Sequence, residues 1–173
     1  MSSEPSDVVD YVAAWPQQFQ QLRAHLEPVM APLGATVEHV GSTAVAGLAA
    51  KPVIDVDVVV GDAAAVPRAV RALEALGHRH RGDLGIPGRE AFTAVPGLPP
   101  YHLYLVVADS PAYQDHVDLR DYLRRHPADA ERYAREKKRL APLLATDREA
   151  YVEGKAWLVR ELLATARGEP DQL

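Results

Sequence analysis

The sequence predicts a mixed α+β fold (α/β mixed), in which helices flank one mixed β-sheet and a helical part follows. Two observations on the 173-residue chain lead to this class. Up to about residue 109, short apolar runs are separated by segments with helical spacing, whereas beyond that residue only helical spacing remains. Such an alternation is typical of a sheet whose faces are covered by helices.

The sheet-containing part extends over about residues 14–109. Its predicted strands are rich in valine, and its helices carry apolar residues at three- and four-residue spacing. Gly82–Pro100 is the strongly loop-like block, because it is rich in glycine and proline. In chain order we predict a helix at about 16–32, strands at 36–40 and 53–60, a helix at about 63–76, and strands at 89–95 and 101–107.

The helical part covers about residues 110–167, and a tail at 168–173 follows it. Three helices are predicted there, and their apolar faces should pack on the sheet and on each other. No linker separates this part from the first, so we predict a single domain over 1–173. The three helix starts are marked by Ser110-Pro111, His126-Pro127 and a capping box in Thr146-Asp147-Arg148-Glu149.

Composition narrows the range of functions. The chain has a formal net charge of −5, which disfavours long nucleic acid as a partner, because that binding needs a basic surface. It contains no cysteine, so thiolate zinc sites and cysteine nucleophiles are excluded. The polar, acidic start and the lack of a long apolar segment predict a soluble cytoplasmic protein without a membrane partner.

The strand at 53–60 carries the first candidate site. Side chains alternate between faces along a strand, so Asp55 and Asp57 should project together and Val56 oppositely. Two neighbouring carboxylates in an apolar strand need compensation. A magnesium ion suits them, since it takes one or two carboxylates together with phosphate oxygens and water. The alternative is a pair neutralised by arginine or lysine at the strand end.

A small turn precedes this acidic strand. After the strand that ends at Val40, Gly41 allows the backbone to approach a ligand, and the Ser42 hydroxyl and nearby amides can donate to phosphate oxygens. A Gly-Ser pair alone usually marks an ordinary turn. Its position shortly before Asp55 and Asp57 makes the two segments a candidate cradle for a nucleoside triphosphate and its metal ion.

The run from Glu38 to Asp55, EHVGSTAVAGLAAKPVID, resembles the signature of the GrpB-like family. That family is placed in the polymerase-beta-like nucleotidyltransferase superfamily. The resemblance covers nearly the whole chain. Further matching segments are Ala14-Trp15-Pro16 with Phe19, Gly85-Ile86-Pro87-Gly88-Arg89 with Phe92, His102-Leu103, Arg120-Asp121-Tyr122-Leu123, and Tyr151 with Gly154-Lys155.

The resemblance implies a nucleotidyltransferase-like mixed sheet with a triphosphate at Gly41 and Ser42 and Mg²⁺ held by Asp55 and Asp57. In that superfamily, the ion aligns the α-phosphate and activates an acceptor hydroxyl, so that a nucleotidyl group is transferred and pyrophosphate leaves. The implied partners are a nucleoside triphosphate and a small-molecule acceptor. A noncatalytic nucleotide- or metabolite-binding module, or a metal-dependent hydrolase or ligase on the same fold, remains an alternative.

The sequence departs from the superfamily pattern at the third carboxylate. The strand at 101–107 contains none, and Tyr104 stands where the family often has a second histidine. His102 is the candidate base or ligand on this strand, although an isolated strand histidine is more often simply hydrogen-bonded. Asp109 and Glu90 are possible substitutes for the missing acid.

Four further residues are candidates for phosphate or substrate binding. His39 either contacts phosphate or satisfies a nearby carbonyl, and Lys51 either neutralises the site or lies in solvent. Arg89 offers a planar fork for phosphate or a surface salt bridge. Lys155 shares a helix face with Tyr151, so its amine must reach water or meet an anion.

Two other features are interpreted as structural. Arg120 and Asp121 are adjacent on the first C-terminal helix and are expected to form an ion pair that locks this helix to the sheet. Trp15 with Pro16 is expected to anchor the start of the first helix.

Overall fold

The computed structural model describes residues 7–168, which form a four-stranded mixed sheet and five α-helices. The predicted α+β class is confirmed. The first six residues and nearly all of the predicted tail at 168–173 lie outside the described residues. The elements are α1 Trp15–Met30, β1 Thr36–Val40, β2 Ile54–Val60, α2 Val66–Ala75, β3 Arg89–Phe92, β4 Tyr101–Val107, α3 Pro111–Arg125, α4 Pro127–Leu140 and α5 Arg148–Ala166.

The strands lie in the order β1-β2-β4-β3. β2 pairs with β1 antiparallel and with β4 parallel, and β3 pairs with β4 antiparallel. In this register Asp55 lies opposite Val40 on one side and His102 on the other, and Asp57 lies opposite Tyr104. The end of β1, the acidic part of β2 and the start of β4 therefore meet at one place.

The two faces of β2 have different environments. Ile54, Val56 and Val58 are fully buried in a core that they share with α1, α2 and alternate residues of β4. Asp55 and Asp57 project from the other face, as the alternation predicts. A second apolar cluster joins the three C-terminal helices to the loop after β1, and its buried members are Val45, Leu48, Tyr122, Leu123, Ala130, Tyr133, Leu158 and Leu162.

The C-terminal helices begin at the predicted capping and proline residues, with one correction. Ser110 caps α3 by accepting the Tyr113 amide at 3.3 Å, and Pro127 occupies the first turn of α4. The cap of α5 is Asp147, not Thr146, because the Asp147 carboxylate accepts the Ala150 amide at 2.9 Å.

Three predicted elements are shorter in the structure than the sequence predicts. The helix predicted at 16–32 ends at Met30 and passes into a 3₁₀ turn, Ala31–Leu33, which Gly34 closes with a φ of +73°. The helix predicted at 63–76 begins as a 3₁₀ turn and becomes α-helical only at Val66. The strand predicted at 89–95 ends at Phe92. Within residues 7–168, no helix has the length and apolar character needed to cross a membrane.

Candidate functional site

The site is built around Asp57, which is completely buried. Its Oδ2 accepts a hydrogen bond from Nδ1 of His116 on α3 at 2.7 Å, whereas its Oδ1 has no hydrogen-bond partner among residues 7–168. Burial raises the pKa of Asp57, and the bond to His116 offsets part of this effect. Burial also acts against charge on His116, but Asp57 outweighs it and raises the pKa of His116. An unpartnered oxygen on a buried carboxylate is costly, and it is a natural ligand for a cation.

Asp55 lies at the mouth of the site, with a side chain 31% exposed. Its Oδ1 accepts Nδ1–H of His102 at 2.9 Å. The other oxygen, Oδ2, lies so close to Gly41 that a Cβ there would overlap it. Gly41 has a φ of +72°, so glycine serves both the turn and the close approach. Both carboxylates thus accept hydrogen bonds from histidines.

A cleft opens beside Asp55. Among the described residues, four cationic side chains line it, and Asp55 is its one carboxylate. Ser42, His102 and Tyr151 complete its polar wall. The cations are Lys51, Lys137, Arg148 and Lys155. A cleft of this charge fits a ligand that carries several negative charges.

A second cavity adjoins this cleft. Ser42, Asp55 and Lys155 line both cavities, so these three residues form the wall between them. The second cavity is otherwise more apolar, with Val45, Leu119 and Leu123 beside His116, Arg120 and Tyr133.

Lys137 is the most buried cation of the site, at 2% exposure. Its Nζ donates to Ser42 Oγ at 2.8 Å and to the Ala49 carbonyl at 2.5 Å, and it lies 4.4 Å from the centre of the Tyr133 ring. Burial lowers the pKa of Lys137 well below its ordinary value, the charge of Lys155 lowers it further, and Asp55 acts in the opposite direction.

Two arginines of helix α3 hold the end of β1 and the turn that follows it. Arg120 donates to the Glu38 carboxylate and to the His39 carbonyl, both at 3.1 Å, and pairs with Asp121 at 2.8 Å. The predicted Arg120–Asp121 pair is present within the helix, and Arg120 connects the helix to β1. Arg124 donates twice to the Ala44 carbonyl, at 2.7 and 3.0 Å.

The structure brings most of the predicted site residues together. Six of them border one or both cavities: Gly41, Ser42, Lys51, Asp55, His102 and Lys155. Lys155 does not lie in open solvent; its Nζ lies 5.2 Å from the centre of the Tyr151 ring and faces the cleft.

His39 and Arg89 do not reach the cleft. His39 lies on the opposite face of β1, where its ring stacks on Phe19 at 4.7 Å and its Nε2 bonds Thr43 Oγ1 at 2.9 Å. Burial lowers the pKa of His39 to about 4. Arg89 is on the site face of the sheet, but its guanidinium lies over the Tyr104 ring at 4.5 Å. The expected phosphate contact of His39 therefore does not fit its position.

The two proposed substitutes for a third acid lie elsewhere. Glu90 faces the opposite side of the sheet, since it pairs with Leu105, and it is bonded to His80 at 2.6 Å. Asp109 is exposed beyond the end of β4. Within residues 7–168, no group of three or more histidine, aspartate or glutamate side chains is arranged to hold a metal ion. An ion here would have Asp55 and Asp57 as its carboxylates, which fits the ligand preference of Mg²⁺.

The sequence interpretation missed His116 and Lys137. A local signal existed for Lys137, because it falls between Tyr133 and Leu140 at four- and three-residue spacing, as Lys155 does between Tyr151 and Leu158. His116 shares a helix face with Leu119 and Leu123. A polar side chain on an otherwise apolar helix face thus marked both residues.

Fold and site together define a protein with a nucleotidyltransferase-like fold, in which an acidic strand meets a glycine turn. The chain belongs to the GrpB family, whose model, described as GrpB protein, matches residues 5–165. A crystal structure of GrpB from Enterococcus faecalis superposes with a TM-score of 0.80 at 30% identity, covering 92% of this chain and 96% of that one. The structure of the GLD-2/RNP-8 complex gives a TM-score of 0.54 at 14% identity over 92% of this chain and 61% of that one, a likeness of fold alone.

Relatives of this chain occur in several bacteria. A UPF0157 protein of Pseudomonas aeruginosa is 38% identical over 160 residues, which are 88% of this chain and 64% of that protein. The UPF0157 protein YqkA of Bacillus subtilis is 32% identical over 149 residues, which are 86% of this chain and 43% of YqkA. The chain therefore spans less than two thirds of the length of these two relatives.

Proposed function

We propose that this protein is a Mg²⁺-dependent nucleotidyltransferase that transfers a nucleotidyl group from a nucleoside triphosphate to a small-molecule acceptor. One observation carries the proposal: a cleft lined by four cationic side chains ends at Asp55, next to the buried Asp57 with its unpartnered Oδ1. A polyanion would suit the positive charge of the cleft lining, and a divalent cation would suit the buried carboxylate oxygen beside it.

The triphosphate would lie along the cationic cleft. Its phosphates would meet the Ser42 hydroxyl and the Lys51 and Lys155 ammonium groups, and Gly41 would allow close approach of the turn. Asp55 and Asp57 would hold Mg²⁺, which supplies charge neutralisation and alignment of the α-phosphate when bound. This arrangement puts the reacting phosphate at the wall between the two cavities.

The reaction would be an in-line displacement. The acceptor hydroxyl oxygen forms a bond to the α-phosphorus, the bond from that phosphorus to the bridging oxygen of the β-phosphate breaks, and pyrophosphate leaves with the electron pair. His102 is the candidate acceptor of the hydroxyl proton, because a neutral ring that donates Nδ1–H to Asp55 carries its lone pair on Nε2. The cationic cleft would stabilise the leaving pyrophosphate.

The acceptor would bind in the second cavity. This cavity shares Ser42, Asp55 and Lys155 with the cationic cleft, so an acceptor bound in it would lie beside the triphosphate. The chain's net charge of −5 favours a small molecule over a long nucleic acid.

The test combines binding with turnover. The protein is incubated with Mg²⁺, each labelled nucleoside triphosphate and a pool of metabolites, and pyrophosphate and nucleotidylated products are measured. We expect product and pyrophosphate in equal amounts, both lost in Asp55→Ala. If calorimetry shows no binding of any nucleotide or divalent metal at millimolar concentration, the proposal is wrong.

A second candidate is a noncatalytic nucleotide-binding module. Tyr104 favours it, because it lies opposite Asp57 on β4, where a third carboxylate would complete the acidic site. Tight nucleotide binding without turnover under every acceptor condition, with Asp55→Ala weakening binding only, would support this candidate.

A further inference from the structure

The buried lysine of helix α4 lines the cationic cleft, and it also holds the turn directly. Lys137 Nζ donates to Ser42 Oγ at 2.8 Å and to the Ala49 carbonyl at 2.5 Å. These two residues stand near the two ends of the segment that connects β1 to β2. One ammonium group thus ties the start of this segment, at the ligand cleft, to its end.

The direction of the bond to Ser42 has a chemical consequence. Lys137 Nζ is the donor in this bond, so Ser42 Oγ accepts from it. The hydroxyl has a single hydrogen, which must then point away from Lys137. Ser42 lines both cavities, and in the cationic cleft an anion would be the acceptor that this hydrogen meets.

We propose that Lys137 is a positioning residue for a polyphosphate ligand: it fixes the Ser42 hydroxyl as a donor into the cleft and holds the segment 42–49 in place. The inference rests on the proposed function, since it assigns the anion at Ser42 to a polyphosphate. It goes beyond that function because it gives Lys137 a task other than its charge in the cleft, namely to orient the Ser42 hydroxyl.

Stability alone does not explain this lysine. Burial of an ammonium group has a large desolvation penalty. An apolar residue of similar length at a buried position often gives equal or greater stability. Lys137→Met should therefore keep the fold with a thermal midpoint close to that of the unaltered chain. A positioning role instead predicts a loss of binding without a loss of stability.

The experiment is a double-mutant cycle in Mg²⁺ buffer with inorganic tripolyphosphate as the probe. Affinity is measured by calorimetry for the unaltered chain, Ser42→Ala, Lys137→Met and the double variant. We expect Lys137→Met to weaken binding about tenfold, the size of a lost hydrogen bond to a charged group, and to add less than about twofold in the Ser42→Ala background. Lys138→Met is the matched control, because Lys138 is the next residue and lies at the surface, and it should change affinity little.

Amide hydrogen exchange tests the holding role without a ligand. Exchange in 42–49 should become faster in Lys137→Met and remain unchanged in Lys138→Met.

If Lys137→Met causes equal losses of affinity in the unaltered chain and in the Ser42→Ala background, the inference is overturned while the proposed function stays intact. Unchanged exchange, or failure of the variant to fold, would overturn the inference in the same way. Absence of tripolyphosphate and nucleotide binding by the unaltered chain would instead overturn the proposed function, and the inference with it.

Discussion

Gly41 and Asp55 lie in direct contact, and a Cβ at position 41 would overlap the Asp55 carboxylate. The contact joins the turn after β1 to the acidic strand, so the phosphate-binding and metal-binding parts of the proposed site share one wall. It also explains why glycine is needed there for space as well as for its φ of +72°.

Gly41→Ala should therefore destabilise the fold and displace Asp55. We expect a loss of about 2–4 kcal/mol in the free energy of unfolding, since steric overlap adds to backbone strain. Gly47→Ala is the matched control, because Gly47 has a φ of +82° but open space around its Cβ position. It should cost only about 1–2 kcal/mol, and urea unfolding measures both. Equal costs would contradict the predicted overlap.

Asp57→Asn should weaken the binding of a divalent metal ion by about tenfold or more, because the buried Oδ1 would lose its charge. Mn²⁺ titration followed by electron paramagnetic resonance measures this directly. Asp109→Asn, which removes an exposed carboxylate beyond β4, should leave Mn²⁺ affinity unchanged. If the two variants bind Mn²⁺ equally well, Asp57 is not a metal ligand. The bond to His116 would then be the interaction that compensates the buried carboxylate.

The local patterns predicted the acidic pair, the turn and Lys155, because strand alternation and helix spacing are read from neighbouring residues. They could not reveal that His39 faces away from the cleft. That follows from the register in which Val40 lies opposite Asp55, and a shift by one residue would have reversed it. The partners of Asp57, Ala44 and Ser42 are His116, Arg124 and Lys137, which are 59 to 95 residues away in the chain and meet only through packing of the helices.

Lys155→Met should weaken nucleoside triphosphate binding about tenfold, because it removes one of the cations that line the cleft. The loss should shrink as salt concentration rises, since screening weakens the interaction in the unaltered chain as well. Arg160→Met on the same helix removes an exposed positive charge and serves as the control. Calorimetry with ATP at low and high salt measures both variants, and an equal loss in the two would show that net charge, and not the cleft, governs binding.

His39 should make the stability depend on pH in acid. Burial lowers its pKa in the folded state to about 4, below the ordinary value of 6.5, so the unfolded chain binds more protons between these values. The contribution of His39 is complete above about pH 6.5 and is lost as pH falls towards 4, with a slope of up to about 1 kcal/mol per pH unit. His39→Gln should have a visibly flatter profile in this range, although His78, whose pKa burial also lowers, keeps part of the slope in both proteins. Urea unfolding from pH 4 to pH 8 gives the two profiles, and parallel curves would mean that His39 titrates alike in the folded and unfolded chains.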